Sequence, residues 1–197
     1  SYRISNAADV TQKGIEGDLD FKVSEAFSIR AAAAYLSVKY GSFPLANCWA
    51  NQTVQDGCVD PDGAGPLPAG QDFSGTQLHR APKFVASGGF TYDTPINESG
   101  SLRFGFSSDV RFRTGTHTGE SRNPAGYQGK NAQIHASARL YDEDRGWELA
   151  LIGRNLTNKR LIGFTSDRPG GQTLGNYESF AYTIRPREIA IQAGLKF

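Results

Sequence analysis

Along this chain apolar side chains return at every second position in seven separate stretches, with polar or small residues between them. Over residues 102–113, Leu102, Phe104, Phe106, Ser108, Val110 and Phe112 oppose Arg103, Gly105, Ser107, Asp109, Arg111 and Arg113. In the last ten residues Ile189, Ile191, Ala193, Leu195 and Phe197 fall on one side, with Glu188, Ala190, Gln192, Gly194 and Lys196 on the other. A period of two predicts β-strands with one greasy face. The same pattern predicts strands over 14–22, 27–40, 84–93, 132–140 and 147–154, and the tail of another over 1–5. Four consecutive alanines at 31–34 favour helix by propensity. The alternation on both sides of them, Phe27, Ile29 and then Tyr35, favours strand.

A strand of this kind points its apolar face either into a soluble core or out at lipid, and the connections choose between the two. They run short (23–26), long (41–80), short (94–100), middling (115–129), short (142–146) and long (about 160–185). Alternating short and long connections are those of an up-and-down meander across a membrane. Greek-key sandwiches have no reason to keep that alternation. The apolar-face residues beside the short turns are Phe21, Phe27, Tyr92, Leu102, Leu140, Trp147 and Phe197, mostly aromatic, as expected at a membrane interface. The expected fold is therefore all-β, an antiparallel up-and-down transmembrane β-barrel segment, with about seven full strands plus one partial, from a larger barrel. Two alternatives stay open: a complete small eight-stranded outer-membrane barrel with a structural or adhesion role, and a soluble β-sandwich binding module.

Composition narrows the picture without changing it. The 197 residues carry a net charge of +1, which gives no reason to expect nucleic acid as a partner. Hydrophobic residues make up only 38% of the chain, and no run approaches the length of a membrane helix. Alternation hides a barrel's lipid face from any such count. With no methionine and an opening at Ser1 and Tyr2, the chain is expected to be a piece of a longer precursor. Cys48 and Cys58 share one loop without histidine or cysteine neighbours at metal-ligand spacing. A local disulfide in an oxidising compartment fits them better than two free thiols.

Chemistry is sparse. His79, His117 and His135 are scattered, with no spacing that points to a metal, and no residue set suggests an enzyme or a cofactor. Asp142, Glu143 and Asp144 fit a solvated turn better than a cation site. The sequon formed by Asn155, Leu156 and Thr157 is uninformative in a bacterial protein. The polar-face residues Arg30, Arg103, Asp109, Arg111, Arg113, Arg139 and Arg154 are expected to pair with acids of neighbouring strands. Arg111 and Arg113, nearest the long loops, are also candidates for attracting an anionic solute. Trp49, Phe73, Tyr127 and Tyr177 lie in long loops, where they either contact solute or pack the loops together.

Four stretches carry a family resemblance: Lys13 to Gly17 (KGIEG), Arg80 to Phe84 (RAPKF), Trp147 to Lys159 (WELALIGRNLTNK), and Arg185 to Glu188 (RPRE) followed by alternation to Phe197. Together they resemble the C-terminal β-barrel portion of TonB-dependent outer-membrane receptors, importers of ferric siderophores and related scarce solutes. The resemblance covers nearly the whole chain, 1–197, and implies a bacterial outer-membrane location with the plug domain absent from this stretch. It implies five kinds of relation: contact with outer-membrane lipid, coupling to the TonB system through the missing plug, a small solute such as a ferric siderophore, recognition of the C-terminal strand by the barrel-assembly machinery, and Phe197 as part of that assembly signal. Trp49, Arg111, Arg113, Tyr127 and Tyr177 are the candidate solute contacts.

Overall fold

The protein is described by a computed structural model covering residues 9–59, 70–167 and 179–196. Seven strands form one antiparallel sheet: β1 (Val10–Lys22), β2 (Phe27–Tyr40), β3 (Phe84–Pro95), β4 (Leu102–Arg113), β7 (Asn131–Asp142), β8 (Trp147–Arg154) and β11 (Glu188–Leu195). Their spatial order is β1-β2-β3-β4-β7-β8-β11, each strand beside the next along the chain. This is the expected up-and-down architecture of a barrel segment. β1 and β11 do not pair with one another among the described residues, so these strands do not close into a small barrel. The expected partial strand at 1–5 and the terminal Phe197 lie outside the described residues.

The register keeps every predicted face intact. Phe27, Tyr92, Phe106, Ala138, Leu151 and Ile191 form one cross-strand row, and Leu19, Ala31, Gly88, Val110 and Ile134 another. A one-residue slip anywhere would mix the two faces. The short-turn ends also step along the register. The β1–β2 hairpin closes after the Lys22–Ser28 pair, whereas β3–β4 runs on to Pro95–Arg103 and β7–β8 to Asp142–Trp147. A barrel with tilted strands needs such a stagger to bring its turns to one level.

The apolar face has no layer packed on it. Ile15 and Ile191 are each 76% exposed, and Leu151, on a strand paired on both sides, is 52% exposed. Burying one such side chain stabilises a soluble protein by about 1.5–3 kcal/mol, and a sandwich would not leave a whole face uncovered. No helix is long and apolar enough to cross a membrane, which says nothing about strands.

The short turns explain themselves locally. Asp142 is buried, and its Oδ1 accepts from the backbone N–H groups of Asp144 (3.1 Å) and Arg145 (2.9 Å). Gly146 then takes φ +64°, a conformation that favours glycine, and its N–H donates to the Asp142 carbonyl at 2.9 Å. The acids at 142–144 thus shape a turn, and no group of metal-ligating side chains occurs among the described residues.

The long connections carry more structure than alternation foretells. Residues 160–185, read as loop, contain a hairpin of β9 (Ile162–Asp167) and β10 (Ser179–Thr183). Its alternation is too brief to register, and Phe164, Phe180 and Tyr182 hold it by ring contacts of 5.9–6.3 Å. Residues 115–129 contain a two-stranded ribbon, β5 (Thr116–His117) with β6 (Tyr127–Gln128). Residues 41–80 build a small core against Tyr40 at the end of β2, from Ala46 and Phe73. The Cys48–Cys58 disulfide and the bridges Ala46–Gln71 and Val59–Gly70 cross this segment.

Candidate functional site

Three long connections meet at one end of the sheet and enclose a cavity of about 620 Å³. Its apolar side is the aromatic group made where β2 runs into the 41–80 segment. Tyr40 stacks on Phe73 at 5.7 Å, and Phe43 tilts against Tyr40 at 5.3 Å. Phe164 of β9 supplies a further ring. The polar side holds His79, Glu120, Ser121 and Asp167. His79 Nδ1 lies 3.3 Å from the Tyr40 hydroxyl. Burial pushes its pKa down, the Arg80 and Arg122 charges add to that, and Glu120 opposes it.

Two side chains join the connections. Asp167 accepts from the Ala50 backbone N–H (3.1 Å), Ser121 Oγ (2.9 Å), Asn123 Nδ2 (3.0 Å) and Ser179 Oγ (2.7 Å). One carboxylate therefore ties β9 to β10, to the 41–80 segment and to the 115–129 segment. Gln71 is buried and donates to the Asn47 (2.6 Å) and Ser121 (2.8 Å) carbonyls, while its Oε1 accepts from Gln52 (3.1 Å). Thr118 and Thr165, both buried, meet at 3.0 Å between their hydroxyls. Polar groups this enclosed are satisfied by each other, as burial requires.

A second recess of about 670 Å³ runs along the polar face of the sheet. Its rows place Glu16, Ala34, Val85 and Arg113 side by side, and likewise Asp18, Ala32, Ser87 and Arg111. Acids of β1 thus form one wall and arginines of β4 the other, over a floor of small residues. At the short-turn end the same face is closed by ion pairs. Asp93 binds Arg103 (2.7 Å) and Arg139 (2.8 Å) and accepts from the Tyr141 hydroxyl (2.9 Å), with Arg139 stacked over the Tyr141 ring at 4.5 Å. A Cβ at Gly105 would meet Arg139 Nε at 2.6 Å, so glycine leaves room for this cluster. Arg154 pairs with Glu188 at 3.7 Å and Arg111 with Asp109 at 3.6 Å. The expected pairing with acids of neighbouring strands thus holds for Arg103, Arg139 and Arg154; Arg111 meets only Asp109 of its own strand, and Arg30 and Arg113 form no ion pair among the described residues.

The predicted solute contacts are not brought together. Trp49 is half-buried beside Cys48, with its backbone N–H on Gln52 Oε1 at 3.1 Å, and does not line the loop cavity. Arg111 and Arg113 line the recess on the sheet. Tyr127 lies edge-on to His117 at 5.1 Å, in a third cavity. Tyr177 lies outside the described residues. Asp167, Phe164 and Glu120 carry the loop cavity without any periodicity or motif to announce them.

The two strongest motif stretches do find each other. Asn155 is buried, with φ +49°, and its Nδ2 donates to the Lys159 (2.9 Å) and Arg185 (3.2 Å) carbonyls. Thr157 Oγ1 donates to the Ala132 carbonyl at 3.1 Å, and Asn158 Oδ1 accepts from the Arg187 N–H at 3.3 Å. This knot fixes how the chain leaves β8 and enters β11.

Two solved structures share the fold along nearly the whole chain. One is the siderophore receptor PiuA from Acinetobacter baumannii, at 16% identity and TM-score 0.61, matching 95% of this chain and 22% of that one. The other is the ferric yersiniabactin uptake receptor FyuA from Yersinia pestis, at 11% identity and TM-score 0.69, matching 98% of this chain and 24% of that one. The chain spans about a quarter of the length of these receptors. No protein-family model matches the sequence, and no curated protein matches it.

Proposed function

We propose that residues 1–197 are the C-terminal barrel portion of an outer-membrane receptor for active, TonB-coupled uptake of a scarce solute such as a ferric siderophore. The observation that carries this reading is the fold shared with FyuA over 98% of the chain. The uncovered apolar face supports it, because Ile15, Leu151 and Ile191 then lie against lipid. In this reading the loop cavity belongs to the outer, solute-facing end, and the short turns to the periplasmic end. Energy coupling resides in a plug outside this stretch, and Phe197 serves the barrel-assembly machinery.

The test is transport. Cells making the full-length receptor are expected to take up labelled ferric siderophore in an energy-dependent way. The 197-residue chain alone, reconstituted in liposomes, is expected to give none, and concentrative uptake by it would sink the assignment. A chain that stays monomeric in buffer without detergent would sink the membrane reading as well.

A further inference from the structure

The apolar face of the sheet differs between its two ends. At the long-connection end its alternation runs on into cations. Lys13 stands two residues before Ile15, Lys39 four after Tyr35, Lys130 two before Ala132 and Arg187 two before Ile189. In the ladder Lys13 pairs with Ser37 and Lys39 with Thr11, on the side of Ile15 and Tyr35. The neighbours Tyr40 and Asn131 are buried and line cavities on the other face, whereas Lys39 and Lys130 are exposed. None of the four cations forms an ion pair among the described residues. Among those residues Asp9 alone is an acid of the same parity at this end.

At the short-turn end the same face carries Phe21, Phe27, Tyr92, Leu140, Trp147 and Leu195, with no cation on that parity. The short turns hold the exposed acids Glu25, Glu98, Glu143 and Asp144 against Arg145. Lys22, at the end of β1, is taken up by Glu25 at 2.8 Å. The height of the cations matters as much as their sign. Each lies about 10–15 residues from the short-turn end, and tilted strands rise by about 2.5 Å per residue, which places them about 25–37 Å up. A barrel's apolar band is about 25 Å tall. The four cations therefore stand at the upper border of that band and just beyond it.

We propose that Lys13, Lys39, Lys130 and Arg187 form a rim that binds the phosphates of anionic lipid headgroups at the long-connection end of the sheet. Cations bordering an apolar band meet lipid phosphates while the side chains beneath them meet the acyl chains. Lys13 and Lys39 are diagonal neighbours across β1 and β2, about 7–8 Å apart at the backbone, so one phosphate reaches both ammonium groups. The short-turn end, aromatic and acidic, offers such a headgroup nothing. The inference rests on the membrane reading above and adds which lipid chemistry each end meets.

The experiment is photo-crosslinking of the full-length protein in phosphatidylcholine nanodiscs. A trace of phosphatidic acid or of phosphatidylcholine carries a diazirine beside its glycerol, and labelled peptides are mapped by mass spectrometry. Phosphatidic acid is expected to label the peptides around 13, 39, 130 and 187 about fivefold more than phosphatidylcholine, the contribution of about one cation at a headgroup. Around Phe27 and Leu102 the two lipids are expected to label alike. Combining Lys13→Gln, Lys39→Gln, Lys130→Gln and Arg187→Gln should equalise the lipids at the rim and leave the phosphatidylcholine yield unchanged. Equal labelling in the wild type, the same preference at Phe27 and Leu102, or a preference that survives the four substitutions would overturn the rim alone. No labelling by either lipid would overturn the rim together with the membrane reading.

Discussion

The sheet and its loop cap are built on opposite rules. The seven strands present their large apolar residues outward and bury few side chains, so their order comes from backbone ladders in fixed register. The cap has little regular ladder and holds most of the buried residues, Tyr40, Ala46, Cys58, Phe73 and Leu161 among the apolar ones, Gln71, Thr118 and Thr165 among the polar. A sheet that exposes its apolar face relies on its surroundings for burial. A cap with its own small core, disulfide and polar joints relies on itself. The two regions should therefore fail separately.

The largest expected effect on the cap comes from Phe73→Ala, which empties the centre of the Tyr40–Phe43–Phe73 group and should cost the cap about 3–5 kcal/mol. Hydrogen exchange would find faster exchange over residues 41–80 and unchanged protection in β4 and β7. The matching break in the sheet is Leu151→Arg. If the face meets lipid, a cation there should cost about 2–4 kcal/mol, read as failed insertion into bilayers with the cap intact. A variant that inserts like the wild type would return that face to water.

Asp167→Ala comes next, because it removes the joint of three connections without touching the aromatic core. Losing four hydrogen bonds to a charged acceptor should loosen the cap by about 1–3 kcal/mol, after water replaces part of them. The expected readout is faster exchange at Ala50 together with cleavage within 115–129 in limited proteolysis. If only β9 and β10 loosen, Asp167 is a local hairpin clamp and the cap is less of a unit than its contacts imply.

The same division decides what a reader of the sequence can see. β2, β4 and β8 have the bounds that alternation assigns them, because a strand with one lipid-type face must repeat every two residues. The knot at Asn155, too, is legible as a motif, although its reason, a buried amide bridging β8 to the approach of β11, needs coordinates. The cap obeys no period. Asp167 and Gln71 bond partners tens of residues away, Glu120 lines the cavity between them, and their neighbours in sequence say nothing about it. Trp49 and Tyr127 are aromatic and in loops, as a solute contact would be, yet Trp49 lies in the turn tied by Gln52 and Tyr127 lies edge-on to His117.

The smallest expected effect tests whether the cap answers to pH while the sheet does not. His79 and His117 are both depressed, in each case first by burial; the Arg122 charge lowers both, joined at His79 by Arg80. A histidine depressed in the folded state is neutral there while the unfolded chain still takes up a proton, so the unfolded form binds more protons as pH falls. Stability of the cap is then complete above the ordinary histidine value of about 6.5 and declines as pH drops through that value toward the folded one. Acidification from pH 7.5 to 5.5 should accordingly raise exchange in the 41–80 and 115–129 segments and leave the register of β3, β4 and β7 untouched. His79→Gln and His117→Gln together should flatten that dependence. If acid instead loosens the sheet first, the independence of the two regions is lost.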